Sequence, residues 1–237
     1  MTRPRPESER FLRQLPANVL DQVTPVVAPL LKIEPGDETV DLTNVAGVIF
    51  TSVNGVRAAP VPSQSREMPA YCVGTGTARV AQDLGWRVDA TGANADELVA
   101  TLIGSQTQGP LLHLCGRHTR GKIAERLGDA GCQTRRQVVY DQKLLPIDDK
   151  ILETLQQNAP VIAPIFSPRT ARQFVSQCRE IRHLHLVAMS SAVAEPLSAM
   201  AHLTLSVAKQ PNAASMASVV EMLVHRHCRV ESGRGAQ

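Results

Sequence analysis

Apolar residues are distributed along this chain in two rhythms. Short runs rich in β-branched and other apolar residues cover 48–52, 71–73, 87–90, 111–115, 136–140, 161–167, 184–189 and 203–207, and predict strands. Between them, 77–84, 96–103, 122–130, 170–178, 192–200 and 215–225 carry apolar residues every three or four positions and predict helices. Gly85 and Gly131 stand where two of these helices should stop, the place where glycine commonly closes a helix. Strand and helix therefore alternate through most of the chain, which implies parallel sheets covered by helices, an α/β fold.

The pattern also repeats. "VIFTSVNGVRA" and "PIFSPRTARQF" align Phe50 with Phe166, and the same offset aligns Gly74 with Ser190 in "VGTGTARVAQDLG" and "AMSSAVAEPLSAM". With a slight slip, "NADELVATL" matches "NAASMASVVEML". Two copies of one β-α-β-α unit explain this, and predict two similar doubly wound, flavodoxin-like parallel-sheet domains. The second copy starts near Ala159 and has two strands fewer than the first, which ends at Tyr140; the segment before the first copy, including 23–28, is expected to supply them. Residues 1–33 and 159–237 then form one discontinuous domain, and 40–140 an inserted one. Residues 34–39 and 141–158 become connectors, and a cleft is expected between the domains.

Composition narrows the function classes. The 237 residues are 43% apolar, enough for a buried core, and the formal net charge is only +3 with 3% aromatic residues. That balance lacks the basic stripe interleaved with aromatics that holds nucleic acid. The longest apolar runs, 45–50 and 161–166, fall far short of the roughly 20 residues needed to span a bilayer, so no membrane segment is expected. The opening Met1-Thr2-Arg3-Pro4-Arg5-Pro6 has no apolar core behind its charges, and the five cysteines include no C-x-x-C pair. A reducing, cytoplasmic setting is expected. His183 with His185 and His225 with His227 have no acidic or cysteine partner at a zinc spacing, so no metal is expected. There is also no G-x-S-x-G nucleophile elbow.

The candidate chemistry lies in loops. "LLHLCGRHTRGKI" has the strand, Gly116, Gly121 and Lys122 of a phosphate-binding loop, but Ile123 stands where a magnesium-holding hydroxyl is required. Gly74-Thr75-Gly76-Thr77 begins like a dinucleotide fingerprint and lacks its third glycine. In a doubly wound sheet, however, the loops after the carboxyl ends of the strands line the ligand crevice, and the helix starts that follow favour anions. Thr51-Ser52-Val53-Asn54, residues 74–77 and 116–120, Ser167-Pro168-Arg169 and Ser190-Ser191 are such loops. Arg57, Arg79, Arg117, Arg120, Lys122, Arg169 and Arg172 lie in or close behind them. Together they point to an anionic ligand, a carboxylate or a phosphate.

Arg3-Pro4, "PLLKIEP", "VIFTSVNGV", "VGTGTARVAQDLGW", "NADELVATL", "LLHLCG", "VVYDQ", "IFSPRTARQF" and "NAASMASVVEML" occur in an order that resembles the uroporphyrinogen-III synthases over nearly the whole chain. The resemblance implies a monomeric, cofactor-free lyase that closes hydroxymethylbilane, a linear tetrapyrrole with eight carboxylates. Water is lost and the last pyrrole is inverted, in heme biosynthesis, with transient contact to the preceding pathway enzyme. By motif, Tyr140 matches the family tyrosine expected to help the hydroxyl leave, and Thr77 the threonine after the first glycine loop. The expected substrate-binding set is Arg3, Ser52, Asn54, Gly74, Thr75, Thr77, Gly116, Arg117, Ser167, Ser190 and Ser191. Helix capping is the competing role for each hydroxyl. The chain departs from the family pattern in Ser190-Ser191-Ala192-Val193, where a second glycine loop is expected, and in having only two residues before Arg3, which predicts a shortened first strand. These departures leave open a second class, a non-catalytic tetrapyrrole- or anion-binding protein of the same fold. If the loops grip carboxylates, a tetrapyrrole polycarboxylate raises the melting temperature and magnesium-ATP does not; a reproducible ATP shift would restore the nucleotide reading.

Overall fold

The computed structural model describes residues 1–60, 68–119, 121–157 and 159–234, which divide into two compact units. One comprises Ile33–Gln142, the other Met1–Lys32 with Lys143–Gln237. The chain passes between them along β1 (Leu31–Pro35) and the end of β6 (Thr134–Leu144), neighbours in one sheet. Hydrogen bonds from Gly36 N to Val139 O and from Leu145 N to Leu30 O show that these strands run antiparallel.

The Ile33–Gln142 unit is built on β2 (Gly47–Phe50), β3 (Pro69–Val73), β4 (Arg87–Gly92), β5 (Leu111–Gly116) and β6. They lie in the order β6-β5-β2-β3-β4, with every pair parallel. Strands β2 and β5 are buried at every position, as parallel strands covered on both faces must be. On one face, Val48, Phe50, Leu112 and Leu114 pack against Val56 of α3 (Val53–Ala58) and Ala78 and Ala81 of α4 (Thr75–Asp83). On the other, Ile49 and Leu111 meet Leu98, Val99 and Leu102 of α5 (Ala95–Gly104) and Ile123 and Leu127 of α6 (Ile123–Asp129). Counted along the chain from β2, the order is 3-2-1-4-5, which differs from the 2-1-3-4-5 order of flavodoxin-like sheets. The sheet is doubly wound, and its direction of winding reverses between β2 and β5.

The other unit carries β7 (Val161–Ile165), β8 (Leu184–Ala188) and β9 (Thr204–Val207) in that order, all parallel. Ala171 and Phe174 of α8 (Pro168–Gln177), Val193 and Leu197 of α9 (Ser191–Leu197) and Leu155 of α7 (Asp149–Gln156) cover one face. Phe11 of α1 (Arg5–Leu12), Val19 of α2 (Ala17–Leu20) and Met216, Val220 and Leu223 of α10 (Ala213–Arg234) cover the other. The two units share one succession of elements, β2-α3-β3-α4-β4-α5 and β7-α8-β8-α9-β9-α10, as the internal repeat predicts.

The strand expected from residues 23–28 is absent. Pro25 and Pro29 have no N–H to donate and break any ladder there. The segment is nevertheless tied down: Met1 N bonds Val26 O at 2.6 Å, and Ala28 N and Leu30 N bond Met1 O and Thr2 O. The sheet of this unit accordingly has three strands among the described residues. Gly85 and Gly131 have φ of 89° and 87° after α4 and α6, the left-handed conformation expected of closing glycines.

Candidate functional site

Parallel pairing sets Ser52, Gly74, Gly116 and Tyr140 along one edge of the first sheet, at or just beyond the carboxyl ends of β2, β3 and β5 and beside Gly116 on β6. Gly116 is registered opposite Tyr140. A β-carbon at Gly116 would stand 2.6 Å from Cζ and 2.9 Å from the hydroxyl of Tyr140, so the tyrosine ring occupies the space that only glycine leaves. The Tyr140 hydroxyl shares a 2.8 Å hydrogen bond with Ser52 Oγ. Ser52 is extended, caps α3 and accepts from Gly55 N at 3.1 Å. One serine oxygen thus caps the helix, the role set against substrate binding in the sequence, and also partners the phenol.

Tyr140 is 4% exposed, and burial raises its phenol above the usual tyrosine range while the Ser52 hydrogen bond partly opposes that rise. At neutral pH the group is a neutral phenol, a hydrogen-bond donor or acceptor at the edge of the sheet. Next to it, Arg117 N donates to Tyr140 O at 3.0 Å. The Arg117 guanidinium pairs with Asp141 at 3.0 Å, and His118 lies 3.7 Å from the same carboxylate. Some desolvation opposes ionisation of Asp141, but the Gln142 N–H and Arg117 outweigh it and hold the carboxyl below its usual range. An incoming carboxylate would compete with Asp141 for Arg117.

The glycine loop has a different character. Gly74 has φ of 81° and starts α4 without a side-chain cap, and its N–H is taken by Gly92 O. Thr75 is exposed, Thr77 is buried, and space is open beside Gly76. Asn54 is half-buried in the first turn of α3. Lys122, the phosphate-loop lysine of the sequence, sits at the N-cap of α6 with φ of 46° and pairs with Glu125. Arg120 lies outside the described residues.

The remaining sequence-predicted residues sit on the other unit. Ser167 caps α8, accepting from Thr170 N at 3.1 Å and sharing 2.8 Å with Thr170 Oγ1. Ser190 stands at the N-cap of α9 without a side-chain cap bond, and Ser191 is exposed. Val193 is 2% exposed and belongs to the core, so its side chain is packing. Arg3 stacks its guanidinium 4.8 Å from the centre of the Phe166 ring, which in turn meets Phe11 edge-on.

Two further groups on β5 and β6 carry no motif in the sequence. His113 is buried in the middle of β5, bonded through Nε2 to Thr51 Oγ1 at 3.2 Å, and burial, followed by the charge of Arg136, pushes it down to about 4. It is therefore neutral at pH 7. Arg136 reads in sequence as a solvated strand residue, with no motif to mark it. Among the described residues no three His, Cys, Asp or Glu gather to hold a metal ion, and no helix is long and apolar enough to cross a membrane.

Fold and site define a mixed α/β protein with predominantly parallel sheets, a glycine loop and a buried phenol paired with a serine. A family model described as "Uroporphyrinogen-III synthase HemD" matches residues 21–218, and the chain belongs to the uroporphyrinogen-III synthase family, enzymes of tetrapyrrole synthesis. Among solved structures it is similar to uroporphyrinogen-III synthetase from Helicobacter pylori, with 18% identity, a TM-score of 0.66 and coverage of 85% of this chain and 97% of that one. A mutant uroporphyrinogen III synthase from the extremely thermophilic bacterium Thermus thermophilus is 14% identical, with a TM-score of 0.58 and coverage of 95% and 100%. At these identities the likeness is one of fold. No curated protein sequence matches the chain.

The double role of Ser52 predicts two separable effects of Ser52→Ala. Loss of the cap lowers stability by about 1 kcal/mol in urea denaturation. Loss of the hydrogen bond that lowers the Tyr140 pKa moves its spectroscopic titration to still higher pH; a shift to lower pH would contradict the assigned geometry.

Proposed function

We propose that this chain closes hydroxymethylbilane to uroporphyrinogen III, a cofactor-free lyase reaction in which water leaves and the terminal pyrrole is inverted. The observation that carries the reading is the Tyr140 phenol, held neutral between bare Gly116 and Ser52 Oγ at the carboxyl edge of the sheet. Departure of the substrate hydroxyl needs a proton or a hydrogen bond at its oxygen. A phenol whose pKa is raised by burial is a weak acid, so Tyr140 acts by hydrogen bonding to the leaving oxygen; the C–O bond breaks as the pyrrole bearing the hydroxymethyl group gives up its N–H proton, the hydroxyl departs with that proton as water, and no tyrosinate is left behind.

Ring closure then passes through a spiro intermediate and re-closure at the other carbon of the last pyrrole. Because the uncatalysed closure gives the uninverted isomer, the protein's main contribution is orientation. The first-turn N–H groups of α4, with Thr75 exposed beside them, and Arg117 released from Asp141 hold substrate carboxylates in this reading. Thr77, Asn54 and Gly74 shape that loop edge. On the other unit, Arg3, Ser190 and Ser191 take further carboxylates, and Ser167 keeps its capping role. We read the enzyme as a cytoplasmic monomer that meets the preceding pathway enzyme only transiently.

The test is to supply freshly generated hydroxymethylbilane, oxidise the products and separate the porphyrin isomers against a protein-free control. Isomer III rises with the wild-type chain, and Tyr140→Phe lowers its rate by about 100-fold, as expected for loss of one hydrogen-bond donor to an oxygen that gains charge, while the fold survives. Isomer I alone from folded wild-type protein would leave a tetrapyrrole-binding protein without the chemistry. Undiminished turnover in Tyr140→Phe would remove Tyr140 from the mechanism.

A further inference from the structure

Regular pairing between β5 and β6 breaks beside the tyrosine. Cys115 is registered with Val138, but the next residue, Gly116, is registered with Tyr140, so Val139 is skipped. A slipped register leaves ladder groups in need of other partners. One side chain spans the slip: Arg136 donates from Nε to Cys115 Sγ at 3.1 Å and from Nη2 to Gly116 O at 3.0 Å and Arg117 O at 2.9 Å. Three successive residues are thus held by a single planar guanidinium. From this we infer that Arg136 is a positioning residue, a clamp that fixes the turn at Gly116 and Arg117 and thereby the place of the Tyr140 phenol.

The turn and the tyrosine are coupled in two ways. Arg117 N bonds Tyr140 O at 3.0 Å, and the Gly116 backbone lies against the phenol ring. A small movement of the turn changes both contacts together. Arg136 is itself exposed, so burial of its side chain does not account for the arrangement. The rigid fork of arginine, with its donors in one plane, matches the acceptors it meets, whereas lysine offers a single point charge on a flexible stem. The neighbouring Arg135 makes its own bond to Asp41 O, away from the turn, and serves as the control.

This inference rests on the proposed role of Tyr140, and its test separates the two. The chain has two tyrosines, so a Tyr71→Phe background leaves Tyr140 as the only one to titrate. In that background Arg136→Met lowers kcat for isomer III by about tenfold with KM within about twofold, as expected when geometry and not binding is lost. Arg136→Lys stays near the Met variant, and Arg135→Met stays at the parent. The spectroscopic midpoint of Tyr140 in Arg136→Met moves toward that of a free phenol as the ring loosens. An unmoved midpoint overturns the clamp, as does full rescue of kcat by lysine, which would assign a charge effect. If the parent makes no isomer III, the synthase reading has failed, and the tyrosine midpoint alone still decides whether Arg136 positions the ring.

Discussion

The candidate site depends on one steric constraint: the Tyr140 ring stands where the β-carbon of any other residue at position 116 would be. Gly116 is registered with Tyr140 just past the slip in the parallel pairing of β5 with β6, so this contact forms where the two strands come back into register. A second bare α-carbon completes the arrangement. A β-carbon at Gly55 would lie 2.8 Å from Leu114 O, so α3 approaches β5 only because residue 55 is glycine. That approach places Ser52, the cap of α3, within 2.8 Å of the phenol. Two missing side chains on separate elements therefore bring one serine and one tyrosine together.

Energetically the arrangement combines apolar enclosure with polar satisfaction. A buried phenol needs a partner, and Ser52 supplies it while its oxygen also accepts the Gly55 N–H. On the opposite face of the sheet, buried His113 bonds half-buried Thr51, and burial together with Arg136 keeps the imidazole uncharged. Neutral hydrogen-bonding groups thus sit at the edge of the core, and the charged residues Arg117, Asp141 and Arg136 lie outside them. Such an edge suits a substrate whose reacting end is neutral and whose periphery is anionic.

Much of the fold was legible because parallel strands buried on both faces have a conspicuous signature. "GVIF" and "LLHLCG" are nearly unbroken apolar runs, and both are strands. Closing glycines and the repeat were equally plain. The strand expected at 23–28 was not, because Pro25 and Pro29 outweigh the apolar residues between them. The strand order also lay beyond the pattern, which fixes element types and not which neighbours they choose. In the site, motif order singled out Ser52, Gly116 and Tyr140, while Arg136 was invisible: its partners are mainly backbone carbonyls on a neighbouring strand, and carbonyls carry no residue-type signal.

The bare α-carbon of Gly116 places the phenol, and the sharpest test of this placement is the rate of isomer III formation by folded Gly116→Ala. Overpacking of this kind costs about 1–3 kcal/mol, which a sheet buried on both faces tolerates while the ring is displaced from Ser52. The predicted result is a native far-ultraviolet spectrum with isomer III formation reduced to the level of Tyr140→Phe. Formation at the wild-type rate by the same folded variant would show that Gly116 does not place the phenol.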